Sequence, residues 1–192
     1  MRKLLLPFLI FIIACGCKNA RTDKKNESTD YLVSLEGIGP VKTEMSQDEL
    51  EKLLNKKIPL TNPRDTISGS WMDSAFIKYK EADLRLTFVR TYAYSATDSF
   101  TMRMTDMQTS SPLCKTKDGI GIGANKQQIV DAFEDHILIM EPGYADTTYT
   151  TRSKTHYTIK VREDWEGREL VFYLKDNKVY AIRVGSFYDD SE

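Results

Sequence analysis

The side chains able to carry chemistry are few. There are two histidines, His136 and His156. His136 follows Glu134 and Asp135 at the end of an expected helix, where a partly cationic ring suits the helix dipole. His156 falls on the outer face of an expected strand. Neither has metal-ligand spacing such as H-E-x-x-H, so no metal site is expected. Carboxylates occur as neighbours: Asp48–Glu49, Glu134–Asp135, Glu163–Asp164 and Asp189–Asp190. Acid–base catalysis needs two carboxyls in one cleft with their pKa values pushed apart; adjacent ones on a helix or turn read as solvated surface. Gly119-Ile-Gly-Ile-Gly123 precedes an expected helix start, which attracts anions. Its spacing matches neither dinucleotide nor phosphate-loop patterns, and it reads as a close-packed turn. No nucleophile motif such as G-x-S-x-G occurs. The expectation is a protein that is not an enzyme and carries no cofactor.

Aromatic chemistry is better placed. Arg90, Tyr92 and Tyr94 fall in a long connection between two expected strands. Tyrosine and arginine are enriched in binding hot spots, and connecting loops often carry function. These three residues are the expected binding site.

The cysteines point elsewhere. Arg2 and Lys3 are followed by an apolar run, Leu4 to Ile13, then Ala14 and Cys15. That order is a secretory leader. The run is shorter than the roughly 17–25 residues of a membrane-spanning helix. Ile12-Ile13-Ala14-Cys15 resembles a bacterial lipobox, the signal that attaches lipid to a cysteine and removes what precedes it. Cys15 is the expected lipidation site, with palmitate-like acyl chains; Cys17 is the alternative. Several acyl chains on one cysteine give stable anchoring. The membrane is thus an expected partner, through the N-terminal lipid. Cys114 stands alone in the body, so no disulfide framework supports the fold, and it reads as a small buried apolar residue.

Charge narrows the partners. The chain has 27 basic and 28 acidic residues. A nucleic-acid-binding domain is basic, and a polybasic membrane surface is absent too. No nucleic-acid partner is expected. Lys18 to Asp30 is almost wholly polar and cannot bury enough surface to offset its ordering entropy. Residues 1–14 therefore read as the leader and 15–30 as a flexible tether.

The elements that would hold any site follow a doubled pattern. Ser46 and Glu49 form a capping box, and Asn125 and Gln128 form a second. Leu50, Leu53 and Leu54 continue the first helix; Ile129, Ala132 and Phe133 continue the second. Period-two alternation marks strands through Ala75–Tyr79, Leu84–Phe88, Phe100–Met104, Thr155–Val161, Leu170–Leu174 and Tyr180–Val184. Asp176-Asn177 tolerates positive φ and predicts a tight hairpin. The expected fold is α+β: two tandem repeats, 31–113 and 114–192. Each would be a short capped helix packed on an antiparallel sheet, in two layers sharing one globular unit.

A G-I-G start, a capped S-x-x-E-L helix and a following antiparallel sheet resemble the repeat of the beta-lactamase-inhibitor-like superfamily. They also resemble the small outer-membrane-assembly lipoproteins of the SmpA/OmlA kind. The resemblance covers roughly Gly37 to Val184. It implies a lipoprotein of the cell envelope, anchored to the outer membrane and facing the periplasm. It would act as a non-enzymatic protein-binding or assembly module, or alternatively as an inhibitor of a secreted or envelope enzyme.

Overall fold

A computed structural model describes residues 29–60, 72–92, 100–164 and 167–187. The leader, Cys15, Cys17 and Tyr94 lie outside the described residues. A 3-10 turn, Thr29–Tyr31, leads into β1 (Leu32–Ser34), β2 (Gly37–Ile38) and β3 (Val41–Lys42). Then come α1 (Gln47–Leu54), β4 (Met72–Tyr79), β5 (Ala82–Tyr92) and β6 (Phe100–Thr109). The remainder is β7 (Lys115–Thr116), α2 (Lys126–Ala132), β8 (Ile137–Tyr144), β9 (Arg152–Arg162), β10 (Gly167–Lys175) and β11 (Lys178–Phe187).

Both capping boxes form. The Ser46 hydroxyl accepts from Glu49 N at 3.3 Å while Ser46 N donates to Glu49 Oε2 at 2.8 Å. Asn125 Oδ1 accepts from Gln128 N at 3.0 Å and Asn125 N donates to Gln128 Oε1 at 2.9 Å. The helices they start are short. Asn55 turns left-handed and ends α1 after eight residues; Phe133 leaves helical geometry and ends α2 after seven.

Here the expectation of two helix-on-sheet repeats is overturned. The protein is mostly β, built on two sheets. One is seven-stranded, in the order β4-β5-β6-β11-β10-β9-β8; the other is four-stranded, in the order β3-β2-β1-β7. β6 and β11 pair antiparallel, Thr109 with Ile182 through Asp106 with Gly185. This joins what would have been two separate sheets. In the same way β7 pairs parallel with β1 in the small sheet. The physical reason is edge satisfaction. A strand edge exposes unpaired N–H and C=O groups, and two-turn helices are too small to cover two sheets separately. Gly185 permits the join: a Cβ there would stand 2.5 Å from Asp106 Cβ.

One face of the large sheet is the core. Ala75, Ile77, Leu84, Leu86, Phe88, Met104, Met107, Ile159, Val161, Leu170, Phe172, Leu174, Ile182 and Val184 are buried there. Leu50 and Ile129 from the helices, and Val33, Ile38 and Val41 from the small sheet, close over them. Gly39, at φ +57, lets the β2–β3 turn approach Asp30, whose carbonyl oxygen would lie 2.0 Å from any Cβ. The register shifts in three places among the described residues: between Thr87 and Phe88, between Pro142 and Tyr144, and between Tyr173 and Leu174. The last puts Val179 rather than Tyr180 inside, so Tyr180 is exposed.

Candidate functional site

Of the expected binding residues, Arg90 and Tyr92 lie on β5, and Tyr94 falls outside the described residues. Arg90 pairs across from Met102 and is half-buried. By alternation it shares the covered side with Phe88. Tyr92 is the last residue of β5, opposite Phe100. The histidines are held locally. His136 packs edge-on against Phe133, ring centroids 5.3 Å apart. His156 Nδ1 lies 3.1 Å from Ser153 Oγ and 3.2 Å from Thr155 Oγ1. In the glycine turn, Gly123 N donates to Val179 O at 2.9 Å. Burial pushes the Cys114 thiol up, in spite of hydrogen bonds from Thr109 and Ser111. Among the described residues no three His, Cys, Asp or Glu side chains converge as metal ligands.

A different aromatic tip is built, at the turn between β8 and β9. The strands pair from Ile137–Arg162 to Pro142–Tyr157, and Tyr144 closes opposite Arg152 after a register shift. Ala145 N donates to Thr151 O at 2.8 Å across the neck. Inside the loop the Asp146 carboxylate organises everything. Oδ1 accepts from Thr148 N at 3.1 Å, Thr148 Oγ1 at 2.8 Å and Thr150 N at 3.1 Å. Oδ2 accepts from Thr150 Oγ1 at 3.2 Å and Thr151 N at 2.9 Å. Hydrogen bonds from Thr151, Thr150 and Thr148, in that order, hold this carboxyl well below the usual carboxylate range. Charge-assisted acceptors of this kind are about twice as strong as neutral ones.

The aromatic side chains stand on this knot. Tyr149 has φ 58 and its side chain is turned to solvent, 72% exposed. Its ring meets Tyr144 edge-to-face, centroids 5.2 Å apart at 84°. The Arg152 guanidinium carbon lies 4.4 Å from the Tyr144 ring centroid, and its Nη1 donates to Pro142 O at 3.2 Å. The left-handed region costs a non-glycine residue about 1–2 kcal/mol. A tyrosine accepted there, outside the core, is held by the five Asp146 contacts.

The base of the same hairpin continues onto the sheet face opposite α1 and α2. Glu169 is buried between two arginines. Arg162 donates from Nε at 3.1 Å and Nη2 at 2.9 Å to its Oε2, and Arg183 Nη2 pairs with its Oε1. Val171 and Ala181 are buried beside them, apart from the main core. Tyr173 borders them, its hydroxyl pushed up first by burial and then by Asp106 and Glu169, against the opposing pull of Arg183.

Tyr144, Asp146, Tyr149 and Arg152 are the residues that sequence reasoning missed. The signal present was Asp-Thr-Thr followed by Tyr-Thr-Thr between two tyrosine-bearing strand ends, a pattern of Asx-type turns. Compared with known protein families, curated proteins and solved structures, the chain matches none.

Proposed function

We propose that this chain is a lipid-anchored, non-enzymatic envelope protein that binds a folded protein partner through the β8–β9 tip. The observation that carries it is Tyr149: exposed, left-handed and fixed by Asp146. Tyrosine gives large contact area at low entropy cost, and pre-organised loops bind with less ordering penalty. The polar groups at the tip are taken up internally, which leaves the rings as the presented chemistry and suits an apolar pocket on the partner. In this reading the anchor is Cys15, with Cys17 as the alternative, and the outer membrane is what the resemblance implies. An assembly role is what the resemblance to the SmpA/OmlA lipoproteins implies. The test is a photo-reactive phenylalanine analogue at Tyr149 in cells, with one at Phe76 as control. A discrete adduct from Tyr149 alone is expected; its absence overturns the reading.

The second reading, an inhibitor of a secreted or envelope enzyme, draws on the tip's convex shape, which suits an enzyme cleft. It requires one-to-one loss of that enzyme's activity, relieved by Tyr149→Ala.

A further inference from the structure

We infer that β8 is a dimerisation edge: it pairs antiparallel with β8 of a second copy of this chain, in a register centred on Ile139. The inference is independent of the tip's partner. β8 is the last strand of the large sheet, and among the described strands it pairs only with β9. Among the described residues its outer edge has no strand beside it, and such an edge is a template for another strand. The sequence of that edge is unusual. Ile137, Leu138, Ile139 and Met140 are apolar on both faces; the first three are half-buried and Met140 is 37% exposed. Strands apolar on both faces belong inside sheets. The opposite edge strand, β4, alternates between a buried row and an outer row of Met72, Ser74, Phe76 and Lys78, and the Lys78 charge on that edge opposes pairing. The features of β8 that block pairing, Pro142 and the register shift beside it, lie at the hairpin end. Residues 137–140 carry none.

The register follows from face and charge. Directly opposed residues on antiparallel strands point to the same face, so registers that keep both helical layers on one side must centre on a residue. Centring on Leu138 sets Glu141 opposite Asp135 of the second copy, a like-charge pair. Centring on Met140 sets Pro142, which has no N–H, opposite Leu138. Centring on Ile139 sets Leu138 against Met140 and continues the core across the interface. It also sets Glu141 opposite Ile137, whose neighbour on β9 is Arg162. The Glu141 side chain, 51% exposed and paired with Lys160 at 3.0 Å, then has no like charge directly opposite it on the second copy. The two hairpin tips would extend from opposite ends of the joined sheet, giving a bivalent binder.

The full chain in detergent micelles tests this. Ile139→Cys is treated with a short thiol-to-thiol cross-linker beside the parent and Phe76→Cys, which sits exposed on the other edge. Ile139→Cys should give a species of doubled mass, and Phe76→Cys no more than the parent. Equal cross-linking of Ile139→Cys and the parent overturns the proposal. In sedimentation equilibrium the parent should show twice the monomer mass and Ile139→Lys half of that, with unchanged circular dichroism. A parent that stays monomeric at every concentration overturns it as well, and would leave β8 to a strand from a different protein.

Discussion

The Ser186 hydroxyl donates to Glu44 Oε1 at 2.7 Å, across 142 positions of sequence. Glu44 sits at φ 69 just before α1. Its N–H donates to Met104 O at 2.8 Å, and Met104 N donates to Met45 O at 2.9 Å. The stretch Glu44–Met45 thus takes up the edge of β6 where β11 no longer pairs, and Ser186 locks it to the end of β11. A half-buried hydrogen bond to a carboxylate contributes about 1–2 kcal/mol. Ser186→Ala should therefore lower the unfolding free energy by that amount, read as a lower denaturant midpoint with the slope of the transition unchanged. A changed slope would mean that the two halves no longer unfold together.

The helix starts make a second prediction. Ser46→Ala and Asn125→Ala should each cost about 1 kcal/mol, because each removes an acceptor from an orphan N–H. Thermal or chemical unfolding of each single variant measures it. No loss at Asn125 would mean that the exposed end of α2 frays without consequence.

These caps show what can be read locally. A capping box uses residues three apart, and strand alternation uses residues two apart, so both are written in short windows. Asp176 and Asn177, at φ 50 and 60, form the expected tight hairpin for the same reason. The join between β6 and β11 is a pairing between residues some seventy or more positions apart, and no local pattern carries it. β8 escaped notice because Ile137–Met140 has no alternation and Pro142 and Gly143 argue against a strand. The bulge beside Tyr173 displaced Tyr180 from the core, since one extra residue reverses the faces. The tip of β8–β9 was hidden with its strand, so no local pattern pointed to the Tyr144–Tyr149 pair.

A third prediction concerns Glu169, which is 3% exposed. Glu169→Ala leaves Arg162 and Arg183 facing each other without a carboxylate, at a cost of about 3 kcal/mol. Glu169→Leu combined with Arg162→Met should recover part of that loss, because apolar replacements of a buried ionic group are often neutral. Equilibrium unfolding of both variants is the measurement. Equal loss in both would place the effect in packing rather than in charge.

The fourth prediction is a pH dependence of the tip. The Asp146 carboxyl is held below its ordinary value by Thr151, Thr150 and Thr148. A carboxyl depressed in the folded state contributes its full stabilisation above the unfolded value, about pH 4, and loses it as pH falls through the lower folded value. The Thr148 and Thr150 amides should therefore stay protected from hydrogen exchange at neutral pH and begin to open only in strong acid. Asp146→Ala should remove that protection at every pH while leaving the amides of β10 and β11 unchanged. Protection that persists in the variant would mean that the loop is held by something other than Asp146.

The last prediction separates a binding role for Tyr149 from a structural one. Replacing it by glycine removes the left-handed penalty of about 1–2 kcal/mol. It also removes the edge-to-face contact with Tyr144, which contributes about 0.5–1.5 kcal/mol. The two terms are of similar size and opposite sign, so Tyr149→Gly should leave stability within about 1 kcal/mol of the parent. Tyr149→Ala keeps the penalty and loses the contact, so it should be the less stable of the two. Partner binding orders them differently: both lack the ring, and both should bind weakly. Thermal midpoints and partner affinity on the same two variants give four numbers that a purely structural tyrosine cannot match. If glycine at this position destabilises the protein by more than about 2 kcal/mol, Tyr149 serves the fold. If both variants retain full affinity, the binding surface lies elsewhere on the protein.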